Sequence, residues 1–359
     1  MTTDVGVPVS LGSLDAQWFT DRLKASGAAR GTVRTVSFSQ LAVASAVGAL
    51  ARAQLRYVEP DAIGPRSVIV KGCGESETQR AMESAMGLAA REQLFYSRIA
   101  PVIPVVTPTC FFVDVVGGSQ PLLLEDLSFL RAGDQVAGLT LADAERLVDL
   151  LADMHARYWD AEPPGGEPDR LISWTDPSIA AMVTVLICSG VTALRERYAG
   201  RVSDSILGAA IEVAPDWGAV LERCAEGPQT FVHNDFRLDN IFFRSDGEPV
   251  VIDWQLAGRS RGTQDVAYLL SGSMTTESLR SSWRELVGRY HARLLANGVI
   301  GYDLGECLQH YRQSLLYTIG PGMAAIGQMT LAGDERGLAD ALVLRTLIHA
   351  DELDAFDTL

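Results

Sequence analysis

The chain has 359 residues, of which 47% are hydrophobic, and a formal net charge of -15 at pH 7. A chain of this length can bury a large core in one big domain or two lobes. The acidic charge argues against nucleic acid or an anionic membrane surface as the main partner, because both require a basic face. No secretory signal pattern opens the sequence, and its five cysteines include no CxxC pair. We therefore expect a reduced, cytoplasmic protein.

The first third of the chain predicts a small sheet with helices. A helix is expected in SLDAQWFTDRL, with Ser13 as its cap. Strands are expected in TVRTVSFSQLA, GALARAQLRYV and SVIVK. A helical period follows in ETQRAMESAMGLAAREQLFYSRIA and ends before Pro101. TPTCFFVDVV and PLLLEDL are two further strand candidates.

The remainder of the chain is mostly helical in pattern. TLADAERLVDLLADMHARYW is a periodic amphipathic helix with an acidic first turn. Long helical patterns then occupy most of Ile179 to Cys224 and Thr275 to Leu353. The longest apolar run, near Ile179, is expected to be too short to cross a bilayer.

Residues 233–240, HNDFRLDN, crowd polar groups between the apolar runs TFV and IFF. The chain continues IFFR, SDGE, PVVIDW, which predicts two short strands around an Asp-Gly turn. With Asp246 and Gly247 as the turn residues, Asn240 would face Asp253. Opposed residues of an antiparallel pair have Cβ atoms roughly 5 Å apart. With Asp235 on the loop before them, Asn240 and Asp253 form an oxygen-only set that suits Mg²⁺.

The pattern D-x-x-x-x-N, followed by a hairpin and a terminal Asp, is the catalytic-loop arrangement of protein kinases. Here it is written HNDFRLDN and then IDW, in place of HRDLxxxN and DFG. This form resembles the aminoglycoside phosphotransferase and choline kinase superfamily. HNDFRLDN, VIDWQ and GRSRGTQDVAYLL are most similar to its ecdysteroid kinase-like branch, and the similarity extends to LADMHARYW, LLLEDLS and RTLIHADELDA.

The resemblance implies an α+β, bilobal, protein-kinase-like fold. A small N-terminal lobe with an antiparallel sheet would occupy residues 1–126, with a hinge at about 122–128. A large, mostly helical C-terminal lobe would occupy residues 127–359 and include a helical insert at 160–226.

The resemblance also implies roles for the residues of the catalytic motif. Asp235 would orient the acceptor hydroxyl and take its proton, and Asn240 and Asp253 would hold Mg²⁺. His233 is expected to be structural, and Asp265 resembles an aspartate that braces the catalytic loop from the following helix.

Nucleotide binding is expected upstream. Lys71 ends the strand SVIVK, as the phosphate-binding lysine of kinases does, and Glu92 on the next helix would pair with it. Alone, the two residues would be more simply a strand-edge lysine and a solvated helix residue. The connector LLLEDLS resembles the hinge, whose backbone around Glu125 to Leu127 would bind adenine.

Some residues depart from the family pattern or remain open. Gly48 alone is left where a glycine-rich phosphate loop is expected, and Asn234 stands where the family more often has Gly. Arg237 and Asp239 could contact phosphate and metal, or could form a pair that ties the loop together. Three other residues are given no chemical role: His155 and Trp159 are interpreted as packing, and Cys73 as an idle thiol.

The sequence thus predicts an ATP- and Mg²⁺-dependent kinase that phosphorylates a hydroxyl of a small molecule. The alternatives are a nucleotide-binding regulator without turnover, a metal-dependent phosphohydrolase and a protein kinase, although neither A-P-E nor HRD is present. The stretch IAAMVTVLICSG favours a neutral, partly apolar acceptor over an aminoglycoside, which would need an acidic lining. No nucleic-acid or membrane partner is expected, and the oligomeric state is left open.

Overall fold

The computed structural model describes residues 14–41, 49–72, 77–114, 121–162, 171–332 and 337–359. Its chain divides into two compact units, one with Met1–Arg131 and Val250–Gln255, and one with Ala132–Pro249 and Leu256–Leu359. The predicted α+β architecture is confirmed, with an antiparallel sheet in the first unit and mainly helices in the second. This division falls after Arg131 and assigns Asp253 to the first unit.

The first unit is built on a five-stranded sheet in the order β1-β2-β3-β5-β4, with antiparallel neighbours throughout. Its strands are β1 (Val33–Gln40), β2 (Ala49–Tyr57), β3 (Ser67–Gly72), β4 (Cys110–Phe112) and β5 (Leu122–Glu125). Helix α1 (Ala16–Ala25) buries Phe19 and Leu23 in the core cluster on this sheet. Asp15 caps α1 by accepting from the Trp18 N–H at 2.8 Å. The predicted cap, Ser13, lies outside the described residues, as do Gly48 and Cys73.

The single helix predicted after β3 is broken in the structure. Helix α2 (Glu77–Met86) is separated from α3 (Leu88–Leu94) by Gly87, whose φ is 64°. Glycine adopts this left-handed conformation at little cost and commonly ends helices. A π-helical turn, Phe95–Ile99, follows α3 directly. Periodicity alone does not detect either irregularity, because the apolar spacing continues through both.

The second unit contains most of the helices. They are α4 (Leu141–Arg157), α5 (Pro177–Tyr198), α6 (Asp204–Val213), α7 (Trp217–Ala225), α8 (Gly262–Ser273), α9 (Thr276–Ala296), α10 (Leu304–Ala332) and α11 (Arg345–Glu352). Five further short strands occur along the chain: β6 (Arg131–Ala132), β7 (Thr230–Val232), β8 (Ile241–Phe243), β9 (Pro249–Val251) and β10 (Gly258–Ser260). Of these, β6 and β9 each contain residues of both units. β7 pairs with β10 in antiparallel register, which fixes the start of the HNDFRLDN segment.

The turn after β8 differs from the predicted one by one residue. The Arg244 N–H donates to the Glu248 carbonyl at 2.9 Å, and the Gly247 N–H donates to the Arg244 carbonyl. A two-residue Asp246-Gly247 turn would have paired Arg244 with Pro249, so the predicted register is wrong at this point. The derived placement of Asn240 opposite Asp253 therefore does not follow from the turn.

Helix α5 is longer than the sequence suggested. It has 22 residues and a mean hydropathy of 1.9 over its most apolar stretch, and 17% of that stretch is buried. By length and composition alone it could cross a membrane. The prediction that the apolar run near Ile179 is too short to do so is therefore wrong, because the helix extends beyond that run. Its buried residues are Ile187, Gly190, Leu194 and Tyr198, so most of its first half presents apolar side chains at or near the surface.

Two buried histidines in the second unit are held uncharged. His349 lies on α11 with its Nε2 3.0 Å from the Tyr311 hydroxyl, and burial lowers its pKa to about 4. His310 lies 3.1 Å from the Tyr302 hydroxyl, and burial, together with Arg261, lowers its pKa to about 4 as well. An unfolded histidine takes up a proton near pH 6.5. Between these values the unfolded chain binds more protons than the folded one.

We therefore expect the free energy of unfolding to fall as pH drops from about 6.5 towards 4. For His349, the more deeply buried of the two, the loss between pH 6.5 and 5 is on the order of 2 kcal/mol. Urea denaturation at both pH values, for the natural protein and for His349→Gln, measures this loss. The variant lowers stability at both pH values but should show a shallower pH dependence. An unchanged slope in the variant would contradict the assignment.

Candidate active site

Lys71 forms the centre of a charged cluster in the first unit. It lies at the end of β3, and its Nζ is 2.7 Å from Glu92 Oε2 and 2.6 Å from Asp253 Oδ1. Burial opposes its charge, but the Asp253 and Glu92 carboxylates outweigh this and raise the pKa of Lys71. The predicted Lys71–Glu92 ion pair is thus present. It holds a permanent positive charge at the end of the strand.

Contacts within the first unit fix the position of Asp253. The following residue, Trp254, stacks on Phe95 with ring centroids 4.2 Å apart. Arg91 on α3 donates to the Gln255 carbonyl at 2.8 Å. Asp253 itself has a φ of 65°, a left-handed conformation that is costly for a residue with a side chain. Segment 253–255 is therefore tied to the helix that carries Glu92, and neither Arg91 nor Phe95 was singled out in the sequence.

The predicted hinge residues begin at the last residue of β5 and continue past its end. Glu125 pairs with Thr109, whose N–H and hydroxyl both donate to the Glu125 carboxylate, at 3.0 and 2.9 Å. Leu127 is buried, and its carbonyl accepts from the Leu130 N–H at 2.9 Å. Between them, Asp126 accepts from Arg52 at 2.8 Å and from Ser67 at 2.6 Å. Sequence reasoning missed Asp126. Adenine binding by Glu125 and Leu127 stays a prediction.

Asp235 and Asn240 are brought together in the second unit. The Asn240 side-chain N–H₂ donates to both the Asp235 carbonyl and Asp235 Oδ2, each at 2.9 Å. These two hydrogen bonds close the loop between the two residues. They leave the Asn240 amide oxygen as the atom available to a cation. Arg237 Nε lies 3.3 Å from Asp235 Oδ1 and Arg237 Nη1 lies 3.4 Å from Asp239 Oδ2. Of the two interpretations of Arg237, the loop-tying pair is present.

Asp265 on α8 holds the first half of this loop. Its carboxylate accepts from the N–H of His233 at 2.7 Å and from the N–H of Asn234 at 2.8 Å. His233 in turn accepts from the Asp235 N–H through Nδ1 at 3.2 Å. The geometry agrees with the structural roles predicted for both residues. His155 does more than pack, since its ring lies 2.9 Å from the Tyr290 hydroxyl and 3.4 Å from Asp265 Oδ2.

The backbone conformation at Asn234 explains why Asn can stand at a position where the family more often has Gly. Its φ of 67° is left-handed, a conformation that Gly adopts freely and Asn more readily than other side chains. The Asn234 amide also donates to the Leu256 carbonyl at 2.9 Å. This bond stabilises the segment before β10, so Asn234 maintains the loop that a glycine would form.

The second half of the loop is held by residues that the sequence did not reveal. Gln135 is fully buried, its N–H donates to Asp239 Oδ1 at 3.1 Å, and its Oε1 accepts from the Asp239 N–H at 3.4 Å. Ser273 at the end of α8 accepts from the Leu238 N–H at 3.1 Å. Arg345 on α11 donates to the Gln135 carbonyl at 2.9 Å. The loop is therefore held by three distant segments of the unit.

An aromatic pair adjoins the loop within the same unit. The Tyr317 hydroxyl of α10 lies 3.4 Å from the Asn234 carbonyl and 3.5 Å from Asn234 Oδ1. Trp174 packs edge-on against Tyr317 with ring centroids 5.9 Å apart. The Trp174 Nε1 atom is buried and has no hydrogen-bond partner among the described residues. No local motif marks either aromatic residue as part of a site.

The residues predicted to hold a metal fit a hard cation. Asn240 offers its amide oxygen, and Asp253 offers a carboxylate that already lies against a positive charge, the Lys71 ammonium. Amide and carboxylate oxygens are ligands that Mg²⁺ accepts, usually together with phosphates and water. Among the described residues, no three His, Cys, Asp or Glu side chains form a metal-binding group. Each residue supplies one suitable oxygen group within its own unit, so a metal ion bound at either would depend on phosphate oxygens or water for other ligands.

Comparison with known proteins gives one family. The model of the phosphotransferase enzyme family, APH, matches residues 75–312. The fold is similar to that of an ethanolamine kinase from Plasmodium vivax, with a TM-score of 0.53, 10% identity, and coverage of 90% of this chain and 84% of that one. It is also similar to spectinomycin phosphotransferase APH(9)-Ia, solved with ADP and spectinomycin, with a TM-score of 0.50, 12% identity, and coverage of 97% and 100%. No curated protein sequence matches the chain.

Proposed function

Because the chain belongs to the phosphotransferase enzyme family, we propose that it transfers the γ-phosphoryl group of Mg-ATP to a hydroxyl of a small molecule. The observation that carries the proposal is the assembled catalytic loop, in which Asn240 is bonded to both the backbone and the carboxylate of Asp235. In this loop the side chain predicted as the base and the side chain predicted as the metal ligand are fixed relative to each other.

In the proposed reaction the acceptor oxygen forms a bond to the γ-phosphorus while the bond from that phosphorus to the β-bridging oxygen breaks, and ADP leaves. Asp235 orients the acceptor hydroxyl and takes its proton. Lys71, held by Glu92, places positive charge on the phosphates, and the backbone from Glu125 to Leu127 binds adenine. Asn240 and Asp253 would hold Mg²⁺, which neutralises charge on the phosphate oxygens.

The residues predicted for each role support this assignment within their own units. In the first unit, Lys71 keeps its charge through two carboxylate partners. In the second unit, Asp235 is 16% exposed, so the carboxylate can reach an acceptor. A phosphohydrolase would have no use for a buried Lys71–Glu92 pair. A regulator without turnover would not require Asp235 to be positioned by Asn240 and Arg237.

We further propose a neutral, partly apolar acceptor, in line with the ecdysteroid kinase-like branch that the motifs resemble. Helix α5 carries no charged residue from Pro177 to Leu194, and most of its apolar first half is not buried. A desolvated polycation such as an aminoglycoside requires carboxylates to pair with its ammonium groups. An uncharged apolar surface instead suits an uncharged ligand.

We also propose a cytoplasmic location. The free cysteines Cys110, Cys188, Cys224 and Cys307 are consistent with a reducing compartment.

The acceptor class is tested by measuring ATP consumption with a panel of hydroxylated compounds. The panel contains menthol, borneol and steroid alcohols as neutral members and kanamycin as the polycation. We expect kcat/KM for the best neutral alcohol to exceed that for kanamycin by at least about tenfold, a difference of roughly 1.4 kcal/mol. Efficient phosphorylation of kanamycin with no activity on neutral alcohols would contradict this acceptor class.

A further inference from the structure

The Trp174 side chain carries a buried N–H group for which the described part of its unit provides no acceptor. Its Nε1 atom is buried and unpartnered among the described residues. Leaving a buried donor unsatisfied costs about 1–3 kcal/mol, and native proteins contain few such groups. An indole N–H can only donate, so the missing partner must be an acceptor, most simply an oxygen atom of a bound molecule.

The backbone around Trp174 is held firmly in place. The preceding Ile172 forms a parallel bridge with Gly258, and its N–H donates to the Ala257 carbonyl at 3.2 Å. Two residues after Trp174, Asp176 caps α5 by accepting from the Ser178 and Ile179 N–H groups. The indole therefore lies between a strand that adjoins the catalytic loop and the start of α5, whose first part is uncharged.

Side-chain contacts lead from Trp174 to the catalytic base. Trp174 packs against Tyr317, and the Tyr317 hydroxyl lies within 3.5 Å of Asn234. Asn234 is the residue immediately before Asp235. Trp174 is thus connected through the Tyr317 side chain to Asn234, the residue before the proposed base. It also lies just before the start of α5.

From this arrangement we infer that Trp174 is a specificity-determining residue, whose indole N–H donates to an oxygen of the acceptor other than its reacting hydroxyl. The ligand class that fits is a neutral molecule with an apolar body, a hydroxyl to be phosphorylated and a second oxygen. The apolar body would lie against the apolar side chains in the first half of α5, most of which are not buried. The inference rests on the proposed function for the identity of the ligand as acceptor, but its binding contact is measurable without turnover.

The test compares ligand binding by the natural protein, Trp174→Phe and Trp283→Phe. Phe at position 174 keeps an aromatic ring but removes the N–H donor together with the five-membered ring of the indole. Trp283 on α9 is the matched control, because it stacks on Tyr311 and has no place in the proposed site. Calorimetry measures the Kd for menthol, which has one oxygen, and for testosterone, which has a hydroxyl and a ketone oxygen.

We expect the natural protein and Trp283→Phe to bind testosterone alike, and Trp174→Phe to bind it about tenfold more weakly, about 1.4 kcal/mol. Menthol binding and the Kd for Mg-ATP should change by less than about twofold in both variants. Equal testosterone affinity in Trp174→Phe and the natural protein would overturn the inference, as would failure of either alcohol to bind the natural protein. Binding with the expected pattern but no phosphorylation would leave the inference standing and refute the proposed function.

Discussion

Replacing Asp235 with Asn is expected to lower kcat by roughly three orders of magnitude, within the range that general-base removal produces. The Kd for Mg-ATP should stay within about twofold, because the base acts only in phosphoryl transfer. The variant keeps the side-chain shape and one oxygen to accept from Asn240. Steady-state kinetics with the best acceptor of the panel, together with calorimetry of Mg-ATP binding, measure both quantities.

Asp239→Asn is the matched control for this substitution. Asp239 lies in the same loop and shares Arg237 with Asp235, but its other partner is the buried Gln135. We expect kcat to fall by less than about tenfold in this variant, the scale of one weakened hydrogen bond. If Asp235→Asn lost ATP binding as fully as it lost turnover, the assignment of Asp235 to the transfer step would be wrong.

Replacing Asp253 with Ala should remove most of the magnesium-dependent part of ATP binding, and activity with it. Asp253 supplies the anionic ligand in the proposed metal set, whereas Asn240 supplies a neutral one. We expect a loss of affinity of roughly 100-fold, or about 2.7 kcal/mol. Calorimetry of ATP binding with excess Mg²⁺ and with EDTA separates the metal-dependent part from the remainder.

Two comparisons make this result interpretable. Asp246→Asn changes an exposed turn residue whose carboxylate accepts from the Glu248 N–H, and it should bind Mg-ATP as the natural protein does. In EDTA, the natural protein and Asp253→Ala should differ much less than in Mg²⁺, because Lys71 keeps Glu92 as a partner. Equal Mg²⁺ dependence in both proteins would show that Asp253 is not a metal ligand.

Local patterns in the sequence predicted the elements that carry the site. The extended segments expected in the sequence contain β1, β2 and most of β3, and Lys71 lies near the end of β3. The spacing of HNDFRLDN identified Asp235 and Asn240, which the structure brings into hydrogen-bond contact. The strands and the Asp235–Asn240 contact depend on residues close together in sequence, whose geometry the backbone itself dictates. The chemical roles of these residues stay predictions.

The groups that hold the site in place could not be predicted in the same way. Gln135 reaches Asp239 across 104 positions of the chain, and Arg345 reaches Gln135 across 210. Contacts of this kind depend on the packing of whole helices, which one sequence does not encode in any local spacing. The hairpin register failed for a smaller reason, since one extra residue in the turn shifts every pair beyond Arg244.

The central claim is that this protein moves phosphate from ATP to an organic hydroxyl. Incubation with ATP labelled in its γ-phosphate and with the acceptor panel tests it most directly, with Asp235→Asn as the blank. The proposed function predicts labelled phosphoester that requires both Mg²⁺ and an acceptor, and almost none from the variant. Binding of Mg-ATP without labelled product from any acceptor, or release of phosphate from phosphoesters without ATP, would contradict it.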